Sequence, residues 1–159
     1  MIEVQRLLEV LADSGTEFVV IEGVAMVLRG SGRVTVDVDV CYARDDGNLA
    51  RLARALAPYH PRLRGAPEGL PFLWDDRTLR SGLNFTLTTD LGDLDLLGEV
   101  PGLGSFEAVA RGATRLEIGR VHARVLDLDA LERSKRAAGR AKDLLDLAEI
   151  AEIRRRTKP

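Results

Sequence analysis

Glu22-Gly23-Val24-Ala25-Met26-Val27-Leu28-Arg29-Gly30-Ser31-Gly32-Arg33-Val34-Thr35-Val36-Asp37-Val38-Asp39-Val40 is the stretch on which the reading of this chain turns. The run before it, Phe18-Val19-Val20-Ile21, is too short and too β-branched for a helix and is expected to form a buried strand. Gly23 then permits a tight turn or a close backbone approach. Val24 to Leu28 is expected to form a short helix, closed by Gly30-Ser31-Gly32. From Val34 to Tyr42 a second strand is predicted. Its even positions Val34, Val36, Val38 and Val40 are apolar, and its odd positions Arg33, Thr35, Asp37 and Asp39 are polar. Period two puts the valines on one face and both carboxylates on the other, their Cα atoms roughly 6.5–7 Å apart. Carboxylates are disfavoured inside strands, so a pair of them needs a chemical reason.

Outward from this stretch, Ile2, Val4, Leu7, Leu8, Val10 and Leu11 recur at near-helical spacing, which predicts an amphipathic helix over 2–13 that ends at Ser14-Gly15. Asp45-Asp46-Gly47 reads as a turn, and Asn48 to Ala57 as a helix buried through Leu49, Leu52 and Leu56. Prolines and glycines from Pro58 to Pro71 forbid a long regular element, leaving a loop that is either a substrate-contacting flap or passive surface. A short strand is expected at Phe72 to Trp74. Leu83 to Thr89 alternates, Asp90-Leu91-Gly92 is a hairpin turn, and Asp93 to Leu97 returns with a second Asp-x-Asp pair, Asp93 and Asp95. Asn84, Thr86 and Thr88 face the same way as Asp95 by parity. After a loop at Pro101–Gly104 and a helix over 105–110, a second hairpin runs through Thr114–Ile118 and Val121–Leu126. Asp127 or Asp129 caps a helix that ends at Gly139, Asp129 having Glu132 in capping-box spacing. A last helix from Arg140 to Arg154 is expected to bury Leu144, Leu147, Ala148 and Ala151. This order predicts an α/β (α+β) fold: a mixed β-sheet flanked by helices, with two C-terminal helices, as one domain over 1–159.

The bulk chemistry narrows the function classes. A formal net charge of −2 provides no global basic field for nucleic acid. The single cysteine, Cys41, forbids an intrachain disulfide and reads as a small core residue. The two histidines, His60 and His122, offer no zinc spacing. No signal-peptide core or bilayer-spanning run is present, so a cytoplasmic protein is expected. Tyr42 and Trp74 are read as core aromatics rather than base-stacking platforms.

Carboxylates gathered from adjacent strands suit a hard cation, Mg²⁺ or Mn²⁺. Asp37 and Asp39 form one half of such a site and Asp95 or Asp93 the other, with Arg33 and the glycine turn placed to hold phosphates. The alternative is two solvated strand faces.

The segment Val19-Val20-Ile21-Glu22-Gly23-Val24-Ala25, Gly30 and Arg33-Val34-Thr35-Val36-Asp37-Val38-Asp39-Val40 resembles the signature of the nucleotidyltransferase superfamily, most closely the small bacterial branch of AbiEii toxin-like proteins and minimal nucleotidyltransferases. Gly92-Asp93-Leu94-Asp95-Leu96-Leu97 resembles that family's strand with the third carboxylate, and Lys135 to Asp146 resembles its Lys … Arg-x-Lys-Asp helix. The resemblance implies transfer of a nucleoside monophosphate from an NTP such as ATP to an acceptor hydroxyl on RNA, protein or a small molecule. It implies Asp37, Asp39 and Asp95 as catalytic, metal-holding residues, with Asp95 also the general base. Gly23, Arg33, Thr35, Lys135, Arg140 and Lys142 would bind the nucleotide. A toxin–antitoxin role with an antitoxin partner protein is a further implication. Glu22 stands where the family has the first glycine of a pair, and it supports the alternative of a catalytically degenerate binding module with the same fold. A nucleotide-sugar glycosyltransferase would also use Asp-x-Asp, but the Arg-x-Thr lead-in has no place in it.

Overall fold

The computed structural model describes residues 2–158. Its helices are α1 (Ile2–Asp13), α2 (Glu22–Leu28), α3 (Asp46–Leu56), α4 (Asp76–Ser81), α5 (Phe106–Arg111), α6 (Leu128–Ala138) and α7 (Ala141–Thr157). Its strands are β1 (Phe18–Ile21), β2 (Val38–Tyr42), β3 (Arg62–Leu63), β4 (Phe85–Thr89), β5 (Gly92–Leu97), β6 (Glu99–Val100), β7 (Gly104–Ser105), β8 (Ala113–Ile118) and β9 (Val121–Leu126). One seven-stranded sheet runs β3-β4-β5-β2-β1-β9-β8, and β6 pairs with β7 separately. The sheet is mixed: β2 is parallel to β5 and β1 to β9, while β1–β2, β3–β4, β4–β5 and β8–β9 are antiparallel. The expected mixed α/β architecture with two C-terminal helices is what the chain adopts. No helix among the described residues is long and apolar enough to cross a membrane.

Residues opposite one another in a sheet share a face. Val38 and Val40 lie opposite Leu94 and Leu96, and all four are buried. The other face carries Asp39 opposite both Ile21 and Asp95, and Cys41 opposite Leu97. Helix α5 packs on β1, β2, β8 and β9, and burial there pushes the Cys41 thiol up to about 12, with Glu107 of α5 adding to the effect. The opposite end of this face, around Asp39 and Asp95, stays open.

Helix starts are fixed locally. Asp45, Asp75 and Asp127 each accept a backbone N–H from three residues ahead, at 3.1, 2.7 and 2.8 Å. Asp127 therefore caps α6. Asp129 instead pairs with Arg154, as does Glu132. Gly139, with φ +61°, ends the helix in the left-handed conformation.

Three expected elements differ. The second strand begins at Val38 rather than Val34, and Val34 and Val36 are 88% and 73% exposed. The partner is the reason. Ile21, opposite Asp39, is the last residue of β1 before the chain turns into α2, so residues 33–37 have no strand beside them. Phe72–Trp74 forms no strand; the Trp74 indole instead donates to the Ala53 carbonyl at 2.9 Å and packs on the core. Helix α7 buries Asp143, Asp146, Ile150 and Ile153, whereas Leu144 is 64% and Leu145 73% exposed. Ion pairs with Lys135, Arg140 and Arg33 satisfy the two aspartates, and that outweighs turning the leucines inward.

Candidate active site

Two strand ends deliver the carboxylates. Asp39 and Asp95 are direct neighbours across the parallel β2–β5 pair, and Asp37 lies one step before β2 on the same side. All three line a cleft of about 660 Å³, together with Glu22, Gly23, Arg33, Thr35, Arg140 and Lys142. Burial, a hydrogen bond with Asp95, and the negative charges of Asp95, Glu22 and Asp37, in that order, push the Asp39 carboxyl up to about 8. Asp39 thus keeps a proton near neutral pH, held against Asp95, because so many negative groups share the site.

The flanking segments supply the rest. A Cβ on Gly23 would lie 3.1 Å from Thr35 Oγ1, so any larger residue there would press the Thr35 side chain back by a few tenths of an ångström. The Thr35 hydroxyl donates to the Asp37 carbonyl at 3.3 Å. Arg33 reaches back to α7, where its guanidinium binds Asp146 at 2.5 Å and Glu149. Ser31 bridges Glu149 and the Arg33 amide. Arg140 caps α7 and pairs with Asp143 at 2.8 Å, yet its side chain remains half exposed along the cleft. Lys142 is exposed at the same rim.

Lys135 stands elsewhere. Its side chain is only 2% exposed, and its ammonium binds Glu22, Asp146 at 2.9 Å and Asp143 at 3.6 Å. The expectation that it contacts phosphate is corrected: it is an internal counter-ion joining α2, α6 and α7, and three carboxylates already take its charge. Asp146 is held by Lys135 and Arg33, and Lys142 makes no ion pair with it. Glu22 opens α2 with φ +59°, a conformation that favours glycine, and its carboxylate meets the Lys135 ammonium.

Asn84, Thr86 and Thr88 do not line this cleft. Thr86 lies opposite Asp95 on the sheet, Thr88 donates to Asp93 at 3.1 Å, and Asn84 accepts the Gly98 amide at 3.0 Å. The Tyr42 hydroxyl donates to the Leu83 carbonyl at 2.8 Å, within the core. Arg64 was not foreseen. It follows β3 in the Pro/Gly-rich loop, crosses β4 and binds Asp95. Neither periodicity nor spacing marks it; the only signal is that its loop was a candidate flap.

Among the described residues no three His, Cys, Asp or Glu side chains form a ready-made metal cage. Mg²⁺ seldom uses one, since it is usually held by one or two carboxylates plus substrate phosphates and waters. The oxygen-only donors of Asp37, Asp39 and Asp95, crowded enough to keep a proton on Asp39, fit such an ion.

No protein-family model matches the chain, and no curated protein does. Among solved structures, it is similar to the lincosamide antibiotic adenylyltransferase LnuA in a lincomycin-bound crystal structure, with a TM-score of 0.61 and 14% identity, covering 95% of this chain and 96% of that one. The likeness extends over almost the whole of both chains, and the fold of this chain is nucleotidyltransferase-like.

Proposed function

We propose that this chain is a metal-dependent nucleotidyltransferase that moves a nucleoside monophosphate from an NTP to a hydroxyl of a small-molecule acceptor. The observation that carries this reading is the juxtaposition of Asp39 and Asp95 across β2–β5, with Asp37 beside them, in a cleft whose rim bears Arg33, Arg140 and Lys142. Asp37, Asp39 and Asp95 would hold Mg²⁺ or Mn²⁺. The bound ion would polarise the α-phosphoryl group and offset charge on the departing pyrophosphate. Asp95 accepts the proton of the acceptor hydroxyl as that oxygen bonds to the α-phosphorus and the bond to the β-phosphate oxygen breaks. Arg140 and Lys142 meet the triphosphate at the rim, and Gly23 with Thr35 keeps the cleft wall thin.

The similarity to a lincomycin-bound adenylyltransferase favours a small molecule over an RNA end or a protein side chain as acceptor. The cleft's apolar wall of Leu97, Pro101, Ala138 and Leu145 suits an acceptor with an apolar body. The degenerate-module alternative rested on Glu22. Its carboxylate is engaged by Lys135, so it does not stand as a free charge against a triphosphate.

The test is incubation with labelled NTPs, Mg²⁺ and a panel of hydroxyl-bearing small molecules, with RNA and protein as parallel acceptors. Pyrophosphate release and labelled acceptor are expected, both lost in Asp37→Ala/Asp39→Ala. No metal-dependent transfer, or equal transfer by the variant, overturns the reading.

A further inference from the structure

Arg64 makes a contact with the site that transfer does not require. Its amide donates to the Thr86 carbonyl at 2.9 Å, and Thr86 is the β4 neighbour of Asp95, so the side chain crosses one strand to reach the site. There Nη2 donates to Asp95 Oδ1 and to the Leu87 carbonyl at 3.3 Å. Nε is buried without a hydrogen-bond partner, 3.6 Å from Asp93 Oδ2. A guanidinium has five N–H donors in a rigid fork, and a buried donor left unpaired weakens its hold. This grip is therefore poorer than a two-pronged Arg–carboxylate pair. The Asp95 carboxylate also receives the Asp39 hydrogen bond. After Arg64 the chain forms an irregular loop in which Gly65 and Gly69 take φ +77° and +83°, and the loop lines a separate cavity of about 480 Å³.

We propose that Arg64 is a displaceable counter-ion of Asp95: its guanidinium and the divalent ion compete for that carboxylate, so the 64–72 loop that leaves β3 is fastened to the site in the metal-free protein and released when the ion binds. The inference rests on the metal-dependent reading above and adds to it a coupling between metal loading and the loop. Two cations on one carboxylate repel each other, and that repulsion favours release. The coupling is reciprocal: whatever holds the loop down weakens metal binding, and metal binding loosens the loop. Freed of Asp95, the loop with its cavity can close on a second substrate, so the acceptor would be admitted after the metal.

Calorimetry with Mn²⁺ alone on the full chain tests this. Arg64→Gln removes the competing charge and is expected to tighten Mn²⁺ binding about tenfold. Arg64→Lys keeps the charge and should bind Mn²⁺ close to wild type. Hydrogen exchange provides the second readout: Mn²⁺ should speed exchange of the Arg64 amide and its loop neighbours in the wild type, and leave that of Arg64→Gln unchanged. If Arg64 only props Asp95 in place, Arg64→Gln binds Mn²⁺ more weakly, and the proposal is overturned. Unchanged affinity in Arg64→Gln overturns it as well, while leaving the metal-dependent reading intact. Absence of Mn²⁺ binding in all three proteins overturns the proposal, whereas the metal-dependent reading falls only if the transfer assay also fails.

Discussion

Glu22 is a glutamate in a glycine's conformation. Its φ of +59° places Cβ against the backbone, a cost of about 1–2 kcal/mol for an L-residue. The buried Lys135 ammonium offsets that cost, since it would otherwise have only Asp146 and the more distant Asp143. The two effects separate by mutation. Glu22→Ala keeps the strain and loses the pair, whereas Glu22→Gly loses the pair and relieves the strain. In urea unfolding, Glu22→Gly is expected to be the more stable of the two by about 1 kcal/mol, with both below wild type. Equal stability would show that the backbone at residue 22 is not strained. Lys135 carries the larger effect. Lys135→Met leaves Glu22 without its cation and Asp143 and Asp146 with only Arg140 and Arg33, and should cost about 3–5 kcal/mol in the same measurement. A loss under 1 kcal/mol would place Lys135 outside the framework of the fold.

Helix α7 shows why an element's type is easier to read than its orientation. Its length and its break at Gly139 follow from local chemistry, and both were legible. Its buried face was not, because the expected stripe of Leu144, Leu147, Ala148 and Ala151 is turned outward or left at the margin. What faces inward is Asp143 and Asp146, and that burial is made tolerable by Arg140 at the helix start, Lys135 on α6 and the distant Arg33. The 33–37 segment failed for a related reason. Its alternation is real, but a strand needs a neighbour, and the end of β1 at Ile21 lies outside any local window. The α7 arrangement predicts acid sensitivity. Hydrogen bonds from Arg140, side chain and backbone, hold the Asp143 carboxyl down at about 2 despite its burial. The unfolded chain takes up that proton near the ordinary carboxylate pKa of about 3.9, so this contribution is complete above about pH 5 and disappears as pH falls toward 2. Thermal melts should show Asp143→Asn less stable than wild type at pH 7, with the gap narrowing steadily between pH 5 and pH 2. A constant gap across that range would mean the Asp143 charge does not stabilise the helix.

At the scale of the molecule, the site draws on α2, the 33–37 segment, β2, β5, α7 and the loop after β3. Parity put Asp37 with Asp39 and Asp93 with Asp95, the family resemblance singled out Asp95, and the β2–β5 register sets Asp95 opposite Asp39. Arg64 was out of reach because a loop's path is set by glycine torsions and distant contacts that leave no period in the sequence. Gathering carboxylates this way sets function against stability, as sites often do. Asp39 feels Asp95 on β5, Glu22 on α2 and Asp37 beside it, and its carboxyl is pushed up to about 8, burial being the largest cause. Because its folded pKa lies above its unfolded one of about 3.9, this group's contribution to the metal-free protein is complete below about pH 4 and is lost as pH rises through 8. Asp39→Asn keeps the shape and a hydrogen bond to Asp95 but never ionises. In metal-free buffer it should melt with wild type near pH 4, where Asp39 keeps its proton in the folded and the unfolded chain alike, and increasingly above wild type as pH rises to 8, with the gap then constant to pH 9, at roughly 2–4 °C per kcal/mol for a chain of this size. The same variant is expected to lose nucleotidyl transfer. If Asp39→Asn melts no higher than wild type at pH 9, the crowded carboxylates are not a source of strain, and the site's cost to the fold must lie elsewhere, with the left-handed Glu22 as the next place to look.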